Sequence, residues 1–239
     1  MSWQTNRLAN MVRSCARTLG INRFLHDIMY SKQYEDLFAQ ALLGGIKHGD
    51  CVWDVGGNVG YYSKKFAACV LSTGSVVAFE PSPVNLVILR DAVKDIPQVI
   101  VEPIALGSFK GIIRFQQGVD VEGSTSKCLE AGDTSDPNNV FKVQIMRGDE
   151  LVRMGKIPVP NVVKIDTEGY ELDVLQGCEG FLKNPALRIF GIEVHFGVLN
   201  ERGQADAPRG MESMLSNAGF KVTWTDASHL IATRLGDQD

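Results

Sequence analysis

The stretch "DVGGNVGYYS", Asp54 to Ser63, decides the fold of this chain. It continues the short apolar run "CVWDV" (Cys51–Val55), which is typical of a buried strand, and it leads into a helical pattern that begins at Tyr61. Glycines between a strand and a helix let the chain turn tightly and let a ligand approach the backbone. The first turn of a helix also offers unpaired N–H groups and the positive end of a dipole. The stretch therefore predicts a ligand-binding turn at the end of a strand.

The spacing of the glycines separates two ligand classes. A dinucleotide site needs the motif G-x-G-x-x-G. If Gly56 is the first glycine of that motif, the second should stand at position 58, which is Asn58. Asp54 would also repel a pyrophosphate. S-adenosylmethionine has no phosphate and carries an ammonium and a sulfonium, which suit a carboxylate, while helix N–H groups suit its own carboxylate. The turn therefore favours S-adenosylmethionine.

A second acid stands at the end of the next apolar run, "SVVAFE" (Ser75–Glu80), just before Pro81-Ser82-Pro83. A carboxylate in this place can accept hydrogen bonds from the two hydroxyls of a ribose. Acids at strand ends are common, so Glu80 alone is weak evidence. Asp54 and Glu80 at successive strand ends, with glycines between them, form a much more specific pair.

The rest of the chain alternates apolar strands with helical patterns, which predicts an α/β fold with a mostly parallel sheet covered on both faces. Further strands are predicted at Val99–Ala105, Asn161–Asp166 and Leu187–His195, and helices at Tyr34–Leu43, Tyr61–Leu71, Pro83–Lys94 and Tyr170–Leu175. The chain closes with a helix at Pro208–Ala218 and two strands at Phe220–Thr225 and His229–Arg234. Because so few residues separate the last two strands, they predict an antiparallel hairpin.

The region between Leu106 and Pro160 is less regular. Strands are predicted at Gly111–Gln116 and Phe141–Arg147, joined by a long polar stretch. We interpret this region as an inserted β element with a long loop, and loops of that length are usually functional or disordered.

Residues 1–45 differ from the rest and predict an N-terminal helical extension, followed by the main domain at 46–239. Leu8, Met11, Val12, Cys15 and Leu19 recur at helical spacing, with arginines off that stripe. A membrane-surface helix and an organelle-targeting segment are alternatives, but three arginines are a weak basic pattern. We favour a helix packed on the domain as a lid or as a homodimer contact.

The composition of the chain argues against several classes of protein. The chain has 239 residues with a net charge of −4, which gives no general attraction to nucleic acid or anionic lipid. Its apolar runs are far shorter than the roughly 20 residues of a membrane span. Its five cysteines form no CxxC motif, which excludes zinc-finger and disulfide frameworks. We therefore expect a reduced, cytoplasmic protein without a membrane span.

Five segments together resemble the FkbM family of S-adenosylmethionine-dependent methyltransferases. They are "VWDVGGNVGYYS", "VVAFEPSPVNLVIL", "IALGS", "VVKIDTEGYELDVLQG" and "GIEVH", which occur in the family's order from about Asp50 to His195. Gly57 stands where the family usually has Ala, and Thr167-Glu168-Gly169-Tyr170 stands where it usually has Val-Glu-Gly-Ala. Residues 1–45 and 116–139 lie outside the close resemblance, and we expect them to determine substrate specificity.

The resemblance implies a Rossmann-like methyltransferase fold with a seven-stranded sheet and a reversed last hairpin. It also implies methyl transfer to oxygen, commonly a hydroxyl of a sugar, polyketide or other secondary metabolite. The predicted cofactor-binding residues are Asp54, Gly56, Asn58, Gly60, Ser63, Glu80, Pro81, Ser82, Ile104, Ala105 and Asp166. Among these, Ile104 and Ala105 are expected to flank the adenine.

Methylation of a hydroxyl needs a group that receives the proton, and Asp166 and His195 are the predicted catalytic residues. Glu193 and His195 stand two apart on a predicted strand and would share a face, and histidine titrates near neutral pH. The alternatives are a helix cap for Asp166 and a structural histidine. Asp166, Glu168, Glu193 and His195 could instead bind a divalent ion. We expect no metal, because scattered segments would have to complete its shell.

The leading hypothesis is an O-methyltransferase acting on a hydroxyl of a sugar, glycan or secondary metabolite. Rival hypotheses are a carboxylate or N-methyltransferase on the same fold and a non-catalytic cofactor-binding module. A nucleic-acid methyltransferase is disfavoured by the net charge.

Overall fold

The structure, a computed structural model, describes residues 31–116, 127–129 and 140–236, with side chains described from residue 37 and not for 127–129. The predictions for residues 1–30 and for most of the long loop lie outside the described residues. The described strands are β1 (Cys51–Val55), β2 (Ser75–Phe79), β3 (Val99–Glu102), β4 (Ala105–Leu106), β5 (Gly111–Gln116), β6 (Lys127–Leu129), β7 (Val140–Met146), β8 (Val162–Ile165), β9 (Ile189–Glu193), β10 (Phe220–Trp224) and β11 (His229–Arg234). The described α-helices are α1 (Ser31–Gly45), α2 (Tyr61–Val70), α3 (Pro83–Val93), α4 (Gly148–Arg153), α5 (Glu171–Gly177), α6 (Phe196–Glu201) and α7 (Ala207–Asn217).

Seven strands form the main sheet in the order β10-β11-β9-β8-β1-β2-β3. β1 pairs in parallel with β2 and β8, while β11 runs antiparallel to β9 and to β10. The chain leaves β1 toward β2 and β3 on one side and later returns on the other side at β8. The carboxyl ends of β1 and β8 therefore border a crevice where the strand order reverses, which is where open α/β sheets bind ligands. The predicted α/β fold with its antiparallel hairpin is confirmed.

The apolar runs of the central strands are buried because helices cover both faces of the sheet. All five residues of β1 are buried, and neighbouring side chains point to opposite faces. Val52 packs with Phe66 of α2 on one face. Trp53 packs on the other, edge to face against Phe79 and Phe181 at 5.2 and 5.3 Å between ring centroids.

The predicted inserted β element is a separate four-stranded sheet in the order β4-β7-β5-β6. The prediction of one continuous strand over Val99–Ala105 was wrong, because β3 ends at Glu102 and β4 belongs to the second sheet. Pro103 lies at the break, where it has no N–H to continue the ladder of β3. The break turns the chain from the edge of the main sheet into the insertion.

The described part of the N-terminal extension contributes to the core. Phe38 and Leu42 of α1 are buried with residues of α2 and of the sheet. The domain division at residue 45, the lid or homodimer contact and the cytoplasmic location stay predictions. No helix among the described residues is both long and apolar enough to cross a membrane.

Candidate active site

A cavity of about 670 Å³ opens at the carboxyl ends of the central strands. Its size suits a small-molecule ligand. The predicted site residues that line it are Gly56, Asn58, Glu80, Pro81, Ile104, Ala105, Asp166 and His195. The predicted residues Asp54, Gly60, Ser63 and Ser82 do not line it and lie in the supporting structure instead.

The glycine turn is held against the neighbouring strands. The N–H groups of Gly56 and Gly57 both donate to the carbonyl oxygen of Phe79, at 3.0 Å. Gly56 has a φ of 79°, and a Cβ there would overlap the main-chain carbonyl oxygen of Asp166. A Cβ at Gly57 would meet its nearest neighbouring atoms at ordinary contact distances, from 3.4 Å. The turn therefore requires glycine at Gly56 and has room for alanine at Gly57.

Asp54 lies behind the cavity wall with a fully buried side chain. Its carboxylate accepts a hydrogen bond from Ser63 Oγ at 2.6 Å and lies 3.3 Å from Lys164 Nζ. In this placement Asp54 and Ser63 anchor the turn to the sheet and to helix α2.

Sequence reasoning missed the role of Lys164, although a lysine inside the apolar run "NVVKID" is a usable signal. Lys164 is almost fully buried between two acids, with Nζ 3.1 Å from Asp166 Oδ2, and it donates to the carbonyl oxygen of Gly56 at 3.0 Å. Burial alone would lower the pKa of Lys164, but Asp166 and Asp54 raise it above its usual value. A charged lysine therefore ties the turn after β1 to the end of β8.

Glu80 is fixed by main-chain donors at the other side of the turn. The N–H of Asn58 donates to Oε2 and the N–H of Ser82 donates to Oε1, both at 2.8 Å. Burial raises the pKa of Glu80 to about 7 against the effect of these two bonds. Ser82 Oγ accepts from the N–H of Asn85 at 3.2 Å and caps helix α3. The carboxylate is thus held in one orientation at the edge of the cavity.

This end of the cavity fits a nucleoside. The buried side-chain oxygens of Asn58 and Asn85 have no hydrogen-bond partner within the described part of the chain, and both residues line the cavity. Buried polar atoms normally have partners, so these acceptors suit donors on a ligand. Ile104 and Ala105 lie on the same cavity, and Ile113, Phe115 and Ile145 of the small sheet add apolar surface. The predicted residues are therefore compatible with S-adenosylmethionine.

The other end of the cavity is built around His195. The prediction that Glu193 and His195 share a strand was wrong, because β9 ends at Glu193 and His195 precedes helix α6. His195 Nδ1 lies 2.8 Å from Oε1 of Glu171, a fully buried side chain that also accepts from the N–H of Gly169 at 2.7 Å. The sequence analysis did not predict this contact between Glu171 and His195.

Three more carboxylates surround the second ring nitrogen of His195. Nε2 lies 3.3 Å from Glu168 Oε2, 3.8 Å from Asp166 Oδ1 and 3.9 Å from Glu193 Oε1. Burial lowers the pKa of His195, but the bond to Glu171 and the nearby charges raise it to about 10. His195 is thus protonated at neutral pH in the protein alone, and in that state it can donate a hydrogen bond but cannot accept a proton.

The acids of this cluster differ in their surroundings. Burial raises the pKa of Glu168 to about 7, with His195 opposing the shift. Asp166 directs Oδ2 at Lys164, which helps to hold its pKa below the usual range against burial. The alternative role of Asp166 as a helix cap is wrong, because the N-cap residue of α5 is Tyr170, whose side chain makes no capping hydrogen bond.

A second histidine missed by sequence reasoning also lines the cavity. His229 Nδ1 lies 2.8 Å from Asp226 Oδ2, and its Nε2 lies 3.5 Å from Glu193 Oε2. Burial lowers its pKa, but the bonds to these two acids raise it to about 9. The ring centroids of His229 and Phe38 lie 4.5 Å apart, so helix α1 supports this wall of the cavity.

Comparison with known proteins agrees with this architecture. The family model of the methyltransferase FkbM domain matches residues 54–222. The hexuronic acid methyltransferase AglP of Haloferax volcanii is 32% identical over 203 residues, covering 82% of this chain and 75% of that protein.

Two solved structures share the fold at low sequence identity. The methyltransferase FkbM of Methylobacillus flagellatus KT gives a TM-score of 0.51 at 14% identity, covering 77% of this chain but only 43% of that one. SMU.1697c of Streptococcus mutans, solved in complex with SAH, also gives 0.51 at 12% identity, covering 85% of this chain and 98% of that one. With most of its length matched by the family model, the chain belongs to the FkbM methyltransferase family and is an S-adenosylmethionine-dependent methyltransferase.

Proposed function

We propose that this methyltransferase acts on a hydroxyl oxygen of a saccharide. The observation that carries the proposal is the group of Asp166, Glu168, Glu193 and His195 on the cavity wall beyond the glycine turn. Carboxylates and a protonated imidazole can hydrogen-bond sugar hydroxyls, and a carboxylate can receive the proton that a methylated hydroxyl must lose. The relative AglP, named for its action on hexuronic acid, supports a saccharide as the acceptor class.

The cofactor, when bound, supplies an electrophilic methyl group on its sulfonium sulfur. The residues of this chain must then hold the acceptor oxygen in line with that methyl group. We assign the predicted catalytic pair complementary roles: His195 donates a hydrogen bond to the acceptor oxygen, and Asp166 accepts the proton of the acceptor hydroxyl. Glu168, which was not in the predicted pair, is an alternative acceptor of that proton. Glu171 acts as a positioning residue, because it contacts His195 rather than the acceptor.

A hydroxyl fits this wall better than a carboxylate does. A hexuronic acid carries both groups, and methylation of its carboxylate would need no proton acceptor. Four carboxylates around one imidazole repel a negatively charged acceptor group at short range. The same acids are hydrogen-bond acceptors for a neutral hydroxyl.

The position of the new methyl group tests the proposal. Purified protein is incubated with S-adenosylmethionine and either a uronoside or its uncharged amide, and the products are treated with alkali, which removes esters and leaves ethers. We expect alkali-stable methylation of both acceptors, and a lower kcat in Glu168→Gln with unchanged cofactor affinity. A product that is wholly alkali-labile and absent with the amide would overturn the proposal in favour of a carboxylate acceptor.

A further inference from the structure

Contrary to the expectation from the sequence that no metal binds, we propose that Asp166, Glu168 and His195 bind one divalent cation, Mg²⁺ or Mn²⁺. The site lies at the end of the cavity around His195, here called the acceptor end. The ligand atoms of these three residues all lie within 4.8 Å of one another. The role of the cation in the reaction rests on the proposed function, but its binding does not.

The ring of His195 is oriented as in a metal ligand. Metal-binding histidines usually donate their other ring N–H to a carboxylate, which fixes the ring and its tautomer. Here Nδ1 lies 2.8 Å from the fully buried Glu171, so Nε2 points at the oxygens of Glu168 and Asp166.

The distances around Nε2 suit ligands of one ion better than hydrogen bonds. The contacts to Glu168 Oε2 and Asp166 Oδ1, at 3.3 and 3.8 Å, are longer than good hydrogen bonds. Around an octahedral Mg²⁺ with bonds of about 2.1 Å, neighbouring ligands lie about 3 Å apart and opposite ones about 4 Å. Asp166 has Oδ1 available, because Lys164 takes its other oxygen.

The charges of the cluster leave an excess of acid. Asp166, Glu168, Glu171 and Glu193 surround one imidazole, and Glu171 is fully buried with Oε2 lacking a hydrogen-bond partner among the described residues. The other nearby cations are already engaged, since Lys164 lies between Asp54 and Asp166 and His229 lies against Asp226 and Glu193. A buried carboxylate without a countercharge is costly, and a bound cation would offset that cost.

The donor set indicates the class of ion. Two carboxylate oxygens with one imidazole suit Mg²⁺ or Mn²⁺, which usually keep several waters. Three of six positions would remain open, enough for two neighbouring oxygens of a saccharide. A hydroxyl bound there would lose its proton more easily, and the bound cation, rather than the Nε2–H of His195, would then hold the acceptor oxygen.

Titration of the metal-stripped full chain with MnCl₂, without cofactor or acceptor, tests the site by calorimetry and by the electron paramagnetic resonance signal of free Mn²⁺. We expect one Mn²⁺ per chain in the wild type and at least tenfold weaker binding in Glu168→Gln. Asp91→Asn, an exposed acid on α3 paired with Lys94, should bind as the wild type does. Equal S-adenosylmethionine affinity in all three proteins shows that the variants are folded. Absence of Mn²⁺ binding, or wild-type binding in Glu168→Gln, would overturn the site.

Activity separates this inference from the proposed function. If the chelator-treated wild type methylates a saccharide at the full rate, the proposed function is supported and the cation has no role in the reaction. Binding of Mn²⁺ that Glu168→Gln weakens, without methylation of any saccharide, would support the site and contradict the proposed function.

Discussion

The two ends of the cavity differ in how their buried carboxylates are compensated. We call the end beside the glycine turn the cofactor end and the end around His195 the acceptor end. At the cofactor end, Asp54 is paired with Ser63 and Lys164, and Glu80 is held by two main-chain N–H groups. At the acceptor end, around His195, three carboxylates lie 3.3 to 3.9 Å from the Nε2 atom of the imidazole, and these distances are too long for good hydrogen bonds. The first arrangement is complete before a ligand arrives, and the second leaves charge for a ligand or ion to balance.

The difference follows from what each end has to bind. We predict that the cofactor end recognises the fixed hydroxyl and amino-acid groups of S-adenosylmethionine, so rigid partners would reduce the cost of ordering the site. Under the proposed function, the acceptor end has to take up the proton of a hydroxyl, and an acidic cluster near an imidazole is suited to change its charge. Variants should therefore affect cofactor binding at one end and turnover at the other.

The largest expected effect is at the glycine turn. In Gly56→Ala the new Cβ would overlap the carbonyl oxygen of Asp166 at a backbone φ that disfavours side chains, so we expect no measurable S-adenosylmethionine binding by calorimetry. Gly44→Ala is the matched control, since its Cβ meets no atom within 4 Å. Wild-type cofactor affinity in Gly56→Ala would contradict the rigid turn.

The next effect concerns the lysine that joins the two ends. Lys164→Met leaves the fully buried Asp54 without its countercharge, and we expect the free energy of unfolding to fall by about 3–5 kcal/mol in urea titrations. Lys94→Met, which removes an exposed ion pair with Asp91, should cost less than about 1 kcal/mol. Similar losses in the two variants would mean that Lys164 does not carry the buried charge.

A smaller effect should appear only at the acceptor end. Glu171→Gln weakens the hold on His195 Nδ1, so we expect kcat to fall roughly tenfold to a hundredfold while the cofactor Kd stays unchanged. Glu179→Gln, an exposed acid outside the cavity, should leave both values unchanged. A loss of cofactor affinity equal to the loss of kcat would show a structural rather than a positioning role.

The smallest effect is a pH dependence of cofactor affinity at the other end. Because burial raises the pKa of Glu80 to about 7, this carboxylate, which we predict to accept the ribose hydroxyls, is progressively protonated below that pH. We expect the cofactor Kd to rise below pH 7, by at most about tenfold per pH unit. Glu80→Gln should bind more weakly and lose this dependence, and the same slope in both proteins would rule Glu80 out as its source.

The raised pKa of Glu80 also makes the free energy of unfolding depend on pH. Here the effect of low pH is favourable, whereas it is unfavourable for cofactor binding. An acid with a raised folded-state pKa binds its proton more tightly in the folded protein than in the unfolded chain. The contribution of Glu80 to the free energy of unfolding is therefore fully present below about pH 4 and is lost as the pH rises toward 7. Urea titrations of the wild type and Glu80→Gln across this range would show the difference.

Much of the cofactor end could be predicted because its determinants are local. The turn after β1 needs glycine at Gly56, and Glu80 follows directly from the next strand, so short patterns identify both. The break of the predicted strand Val99–Ala105 was missed even though Pro103 marks it. The pattern shows where a strand can form, but only pairing partners decide to which sheet it belongs.

By itself, the sequence determined the order of strands and helices, the glycine turn and the positions of the acids, because short-range periodicity and turn chemistry set these features. Only the tertiary structure decided which charges meet. Lys164 lies opposite Asp54 because β8 pairs with β1, and Glu171 of α5 reaches His195 beyond the end of β9. Charge states in a buried site depend on such neighbours, which come from distant segments and leave no local pattern.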